Sequence, residues 1–133
     1  MHRASLDGIR FNLFLDMKPF SHVQTADLVT IMGNAVDNAI EAARGLPKEQ
    51  RIVYIRSSRF ANMEVLQFSN RFAGELRQEE GRLSTTKADA QSHGIGLSSI
   101  EHAARRCGGS VSTQIDHGEK RFTLLVMIPG AAA

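Results

Sequence analysis

Apolar and polar residues alternate near the start of the chain, and this period of two predicts a strand over residues 8–17. Two later pairs of short alternating segments, each joined by a turn, predict two β-hairpins. Two other segments carry apolar residues at helical spacing and end at glycine, as helices commonly do. Four elements are predicted after the first strand. The first is a helix with Thr25 or Asp27 as its N-cap, running to about Arg44, and the second is a hairpin with strands 52–58 and 65–69. A helix from Gly96 or Leu97 to Arg106 and a hairpin with strands 110–115 and 121–128 follow.

The order of these elements predicts the fold class. Strands pair as hairpins, and helices do not alternate regularly with strands. We therefore expect an α/β (α+β) fold, a two-layer sandwich with a mixed, mostly antiparallel sheet and the helices on one face. Residues 1–133 are expected to form a single domain. Residues 71–93 are mostly polar and predict a long loop of the kind that often covers a binding site.

Composition narrows the class of protein. The 133 residues carry a net charge of +2 with both signs interspersed, which gives no argument for nucleic acid as a partner. The sequence has no apolar run long enough to span a membrane and no signal-peptide pattern. The single cysteine, Cys107, excludes an internal disulfide, fits a reducing compartment and is expected to have a packing role.

The first predicted helix carries the most specific chemical pattern. Asn34, Asn38 and Glu41 follow i, i+4, i+7 spacing and therefore share a face, with Asp37 at its edge. Asparagine is a weak helix former, so two asparagines beside an acid in mid-helix indicate a function. Their oxygens suit a hydrated hard cation such as the Mg²⁺ that accompanies nucleotide phosphates. Asp37 either binds metal-bound water or caps a neighbouring loop, and Glu41 belongs either to the rim of the site or to the charged surface.

A second pattern follows the polar loop and combines hydroxyl, basic and glycine residues: Thr85, Thr86, Lys87, His93, Gly94, Ile95, Gly96 and Leu97. Glycines at the start of a helix let backbone amides approach an anion, and the helix dipole adds to the attraction. Lys87 is suited to neutralise phosphate charge and the threonines to donate hydrogen bonds, although a solvated lid would have the same composition. This pattern is weak alone and gains weight from the carboxamide helix upstream.

Together the two patterns resemble the GHKL superfamily of ATP-binding domains. The resemblance is greatest to the catalytic domain of bacterial sensor histidine kinases in the quorum-sensing and citrate-sensing branches. Residues 33–43 resemble the N box, written G-N-x-x-D-N-A-I-E-A, while residues 85–87 and 93–97 resemble the lid and the G2 box. The likeness extends over nearly the whole chain, from about residue 8 to residue 129. It implies the Bergerat-type α/β sandwich, which agrees with the predicted elements.

The resemblance also implies roles for individual residues. Asn38 would hold the magnesium ion that bridges the nucleotide phosphates, and Asn34 would be a second candidate ligand, acting through phosphate or metal-bound water. Gly94 and Gly96 would line the triphosphate, and residues 72–93 would form a mobile lid over ATP. The resemblance assigns no catalytic residue to this chain.

Asn70 marks the main departure from the family pattern. It stands where many relatives have the aspartate of a D-x-G-x-G box, which accepts a hydrogen bond from the adenine amino group. The amide oxygen of asparagine can accept the same bond, but residues 70–74 have no glycine at the third position of the box. Glu41 is a second departure, because many of these kinases carry a basic residue there; Lys87 or Arg44 would compensate.

The expected function is that of the Mg-ATP-binding catalytic domain of a two-component sensor histidine kinase. It would donate the γ-phosphoryl group of ATP to a histidine on a separate dimerisation domain that this chain lacks. Alone, the chain would bind ATP as a monomer without autophosphorylation. We expect a cytoplasmic domain of a membrane-anchored receptor, a response regulator downstream, and no direct contact with membrane or nucleic acid.

Two alternatives belong to other functional classes. The first is a GHKL ATP hydrolase or ATP-driven clamp. The resemblance implies that members of that class carry a glutamate, the general base for water, four residues before the position of Asn38. That position is Asn34, which cannot take a proton. The second is a degenerate interaction module that binds a partner without nucleotide, and the altered adenine box is its support.

Overall fold

The computed structural model describes residues 8–74, 77–79, 82–84 and 87–131, with side chains for residues 8–74 and 96–131. Most of the described chain lies in helices or strands. In chain order the elements are β1 (Arg10–Phe14), α1 (Thr25–Arg44), β2 (Ile52–Phe60), β3 (Met63–Arg71), β4 (Arg77–Glu79), β5 (Arg82–Ser84), α2 (Lys87–Arg106), β6 (Ser110–Asp116) and β7 (Arg121–Pro129), with short 3-10 helices at Lys18–Phe20 and Lys48–Gln50.

The main sheet has five strands in the order β1-β2-β3-β7-β6. Only β1 and β2 pair in parallel, and the other three pairings are antiparallel. The short strands β4 and β5 form a separate antiparallel pair. Helices α1 and α2 pack against each other and against the sheet. This arrangement confirms the predicted two-layer sandwich with a mixed, mostly antiparallel sheet.

Helix α1 is held by an apolar stripe that points at the sheet. Ile31, Ala35, Ala39 and Ala43 recur every four residues and are at most 2% exposed. The helix begins at Thr25, and it ends at Arg44, followed by Gly45, as predicted. The predicted N-cap residues were wrong, because the N-cap is Gln24 and its side chain makes no capping hydrogen bond.

Helix α2 corrects a second prediction. It begins at Lys87 and not at Gly96 or Leu97, so part of the predicted polar loop is helical. Strands β4 and β5 occupy a further part of the predicted lid, residues 72–93. Residues 87–91 are lysine, alanine, aspartate, alanine and glutamine, and Ala, Lys and Gln are strong helix formers. A polar composition therefore hid a good helix propensity.

The core lies between the helices and one face of the sheet. Alternate residues of β2, β3 and β7 point into it, among them the fully buried Val53, Leu66 and Val126. Ile31 of α1 and Ile100 of α2 meet them from the helical layer, and both have no exposed surface. The opposite face of the sheet, called the outer face below, is not covered by α1 or α2. None of the helices in the described residues is long and apolar enough to cross a membrane.

Candidate functional site

The two asparagines of α1 lie on the side of the helix next to its buried stripe. Asn34, Asn38 and Glu41 are each half-buried, whereas Asp37 is exposed. The predicted common face is therefore present, and it is partly screened from water. Among the described residues no cluster of three or more His, Cys, Asp or Glu side chains could hold a metal by itself. Any cation here would depend on carboxamide oxygens, water and the ligand.

Asn38 lies directly against the backbone of α2 at Gly96. A Cβ atom built on Gly96 would be 2.9 Å from Asn38 Oδ1 and 3.3 Å from Nδ2. Because real Cβ atoms essentially never approach so closely, this contact requires glycine unless the carboxamide moves. Gly96 is itself buried. The structure thus brings together one residue from each of the two sequence patterns, although 58 positions separate them along the chain.

Asn34 uses its amide group within its own helix. Its Nδ2 atom donates a hydrogen bond of 2.8 Å to the carbonyl oxygen of Thr30, one turn earlier. This bond fixes the carboxamide so that Oδ1 is the atom left to face a ligand. A carboxamide in this arrangement binds as an oxygen donor, and it cannot accept a proton from water.

Asn70 is buried near the end of β3, with 3% of its surface exposed. It occupies the helix-covered face of the sheet, in register with Val53 on β2 and Phe122 on β7. Its Nδ2 donates a hydrogen bond of 2.9 Å to the carbonyl oxygen of Arg71. Among the described residues, none donates a hydrogen bond to its Oδ1, which is the acceptor atom of this side chain.

The other glycine-motif residues stand inside α2. Lys87 is the first residue of the helix, and His93, Gly94 and Ile95 follow in its interior. The prediction that glycines at a helix start would present free amides is therefore wrong for this structure, because helix α2 starts nine residues before Gly96. Leu97 is 4% exposed and belongs to the hydrophobic core.

Several predicted contacts fall where the structure gives no side-chain description. Thr85 and Thr86 lie outside the described residues, and the side chains of residues 87–95 are not described. Their roles remain predictions. The part of the site that is described consists of the α1 carboxamides, Gly96 and Asn70.

A polar contact that the sequence did not predict joins the far ends of the two helices. Asp27, in the first turn of α1, accepts a hydrogen bond of 2.8 Å from Arg106 Nε, in the last turn of α2. The thiol of Cys107 lies 3.7 Å from the other oxygen of Asp27. Burial, and then the charge of Asp27, raises the pKa of Cys107, while Arg106 lowers it. The sequence showed an acid and a base at suitable dipole ends, but no signal that they would meet.

Comparison with models of protein families assigns the chain to a family. A model described as "GHKL domain" matches residues 23–129, which is most of its length. The chain therefore belongs to the GHKL domain family, as the N box and the G2 box indicated. A comparison with curated protein sequences finds no significant match.

Solved structures give the same fold at low sequence identity. The histidine kinase AdeS of Acinetobacter baumannii matches with a TM-score of 0.67 at 14% identity, covering 98% of this chain and 59% of that one. Full-length ShkA in complex with AMPPNP matches with a TM-score of 0.74 at 17% identity, covering 99% of this chain and 28% of that one. The catalytic domain of histidine kinase ThkA, in a nucleotide-free form, matches with a TM-score of 0.69 at 21% identity, covering 96% of this chain and 84% of that one.

These matches show the fold of histidine kinase catalytic domains. The chain spans less than two thirds of the AdeS chain, less than a third of the ShkA chain, and most of the ThkA catalytic domain. The identity of the fold confirms the predicted Bergerat-type sandwich.

Proposed function

We propose that this chain is the Mg-ATP-binding catalytic domain of a bacterial two-component sensor histidine kinase, in the quorum-sensing or citrate-sensing branch. The observation that carries the proposal is the contact of Asn38 with Gly96. The carboxamide of Asn38 leaves no room for a larger residue at position 96, so no side chain covers the backbone there. A nucleotide phosphate is the kind of ligand that uses a close backbone approach beside an oxygen donor.

The donor set fits magnesium held with a nucleotide. Mg²⁺ keeps several waters and is usually bound through few protein oxygens together with substrate phosphates. Asn38 would hold the ion, with Asn34 as a second candidate ligand, while Asp37 and Glu41 would contact its water. The ion would neutralise charge on the phosphates, and the chain itself would orient the nucleotide.

Asn70 would select the base of the nucleotide. Because its Nδ2 is committed to the Arg71 carbonyl, its Oδ1 is the atom available to a base. An acceptor at this position complements the amino group of adenine and opposes the carbonyl oxygen of guanine. Discrimination of ATP from GTP thus does not require the aspartate of the family box.

Phosphoryl transfer in this proposal is a matter of positioning. The acceptor is a histidine on a separate dimerisation domain, and a response regulator receives the phosphoryl group afterwards. Lys87, His93 and the amides near Gly94 would contact the phosphates as the resemblance implies. The isolated chain would bind ATP without phosphorylating itself. Within its receptor, this domain would lie on the cytoplasmic side of the membrane.

A hydrolase is not favoured by the described geometry. The position of the general base in that class is Asn34, whose amide is bonded to Thr30. Asp37 is the neighbouring acid, and it is exposed on the edge of the helix. Steady release of phosphate from ATP by the purified chain would contradict this assignment.

The test is calorimetric titration of the chain with ATP and Mg²⁺. Asn38→Ala should weaken binding by at least about tenfold, because it removes the metal-facing oxygen. Gln114→Ala is the matched control, since it removes an exposed carboxamide from β6. GTP should bind more weakly than ATP. Equal affinities for the wild-type chain and Asn38→Ala would overturn the proposed site, and absence of binding would favour a non-catalytic interaction module.

Transfer is tested separately. A dimerisation domain that carries the acceptor histidine is supplied with the chain and γ-labelled ATP. Label on the partner histidine supports the kinase assignment. Nucleotide binding without transfer to any histidine-bearing domain of the two named branches would contradict the branch assignment while leaving the nucleotide site intact.

A further inference from the structure

The outer face of the sheet carries arginines and aromatic residues in a regular pattern. Strand registers place Phe14 beside Arg56, and Arg71 beside Arg121. Tyr54 stands in the row between them, next to Ser69. Because side chains alternate between faces along a strand, all of these point away from α1 and α2. The face therefore carries these three arginines, and Asp116 of β6 stands beside Arg121 at one end of it.

Two of the arginines cover aromatic rings. The guanidinium of Arg56 lies 6.0 Å from the centre of the Phe14 ring, and that of Arg121 lies 5.6 Å from the centre of the Tyr54 ring. Phe14 is 63% exposed even so. Arginine and aromatic side chains that are ordered against each other on an open surface are typical of protein-binding surfaces.

A groove of about 220 Å³ runs over this face. Its lining contains two guanidinium groups and several hydrogen-bonding groups but no carboxylate: Asn12, Phe14, Tyr54, Ile55, Arg56, Gln67, Ser69 and Arg121. The groove is open and shallow, so it can accept side chains from a surface laid across it. Its charge favours an anionic occupant.

Arg71 is not part of the groove lining, but it lies on the same face of the sheet, beside Arg121. Its Nε is buried and has no hydrogen-bond partner among the described residues. A buried donor without an acceptor costs about 1–3 kcal/mol, and its neighbour across the strands is another cation, Arg121. Arg121 already binds one acid of this chain, with its Nε 3.4 Å from Glu119 Oε2. Arg56 and Arg71 have no such carboxylate among the described residues.

We propose that the outer face docks an acidic segment of a partner protein, with its carboxylates on Arg56 and Arg71 and an apolar side chain against Phe14. A protein segment fits better than a small anion because the groove is open and includes exposed aromatic surface. It fits better than nucleic acid because the chain carries a net charge of only +2. This surface lies on the opposite side of the sheet from Asn38, and the proposal does not depend on nucleotide binding.

The test uses a short fluorescein-labelled peptide rich in glutamate and containing phenylalanine. Its anisotropy is followed as the full chain is added, at low and at moderate salt. The wild-type chain should bind it, and salt should weaken the binding because the contacts are solvent-accessible ion pairs. Arg56→Glu should weaken binding about tenfold, since it replaces attraction by repulsion. Arg71→Gln should weaken it by a smaller factor.

The matched control is Arg105→Glu, the same charge reversal at an exposed position of α2. Arg105→Glu should leave peptide binding unchanged. When the peptide binds the wild-type chain, the amide chemical shifts of residues on β2, β3 and β7 should move. A peptide with glutamine in place of glutamate should not bind. Equal weakening in Arg56→Glu and Arg105→Glu, or no binding at about 1 mM peptide, would overturn the proposal. So would tighter binding of inorganic phosphate or of an RNA oligonucleotide to the same face. Self-association of the chain that Arg56→Glu abolishes would also overturn it, because the occupant would then be a second copy.

Discussion

Helices α1 and α2 have equal lengths of 20 residues and pack side by side, but they are held in place differently. The buried residues of α1 extend from Asp27 to Ala43, almost its whole length. Described burial in α2 begins at Gly96 and continues through Ile100 and Ala104. The first half of α2 has only alanine and Ile95 as apolar residues. The sequence therefore gives α1 an apolar stripe along almost its whole length, whereas in the first half of α2 local helix propensity is the stronger signal.

This difference separates the two halves of the candidate site. The carboxamides of α1 stand on a helix anchored to the sheet, which limits how far they can move. Gly96 stands where the polar first half of α2 meets its more apolar second half. Substitutions in the buried stripe of α1 should therefore act on global stability, whereas substitutions of Asn38 and Gly96 should act mainly on the site.

The largest effect is expected from the anchor of α1. Ile31→Ala removes a side chain with no exposed surface and should lower the free energy of unfolding by about 3 kcal/mol, through lost burial and a cavity. Val29→Ala, two positions away and 64% exposed, is the control and should change it by less than about 0.5 kcal/mol. Urea unfolding measures both as shifts in midpoint. Similar shifts for the two variants would mean that packing does not fix α1.

The next effect is expected at the contact between the helices. Gly96→Ala adds a methyl carbon 2.9 Å from Asn38 Oδ1, which is closer than such contacts allow, and the carboxamide is the group that can move away. Stability should change by less than about 1 kcal/mol, because the methyl group also raises helix propensity. Affinity for Mg-ATP should fall by about tenfold, because the displaced group is the proposed metal ligand. Calorimetric titration and urea unfolding measure the two quantities on the same sample.

Gly33→Ala provides the matched control for that substitution. Gly33 is also a helical glycine, in α1, but a Cβ built on it meets nothing within 4 Å. This variant should keep its ATP affinity and gain about 0.5–1 kcal/mol in stability, because alanine is the better helix former. If both glycine variants bound ATP equally well, the close contact at Asn38 would not be part of the nucleotide site.

The same contrast explains what the sequence could predict. For α1, an apolar period of 3.6 coincides with a glycine stop and a specific motif, so its end and the shared face of Asn34 and Asn38 were predictable. The hairpins were predictable as well, with boundaries short by one or two residues at several ends. The mixed sheet followed from the order of the elements, and the structural comparison confirms it.

The start of α2 was not predictable in the same way. Its first half has no apolar stripe, so a reading based on periodicity assigns it to a loop, and only propensity favours a helix. Contacts between residues far apart in the chain could not be predicted from the sequence either. The sequence indicated that Asn38 and Gly96 belong to one motif set, but their atomic contact depends on how α1 and α2 pack. The pairing of Asp27 with Arg106 depends on the same packing.

The smallest effect is expected where the helices meet at their other ends. Arg106→Met keeps the length of the side chain and removes the ion pair with Asp27. Because the Arg106 side chain is 56% exposed, solvent screens the pair, and we expect a loss of about 0.5–1 kcal/mol. Much of this loss would come from leaving the Asp27 carboxylate, 12% exposed, without its partner. A double-mutant cycle with Asp27→Asn isolates the pair energy in urea unfolding. Affinity for Mg-ATP should not change, because this pair lies at the ends of the helices and away from Asn38. A coupling energy near zero would mean that the helices are joined by apolar packing alone, and a loss of ATP affinity would mean that the geometry at Asn38 is controlled from the far end of α2.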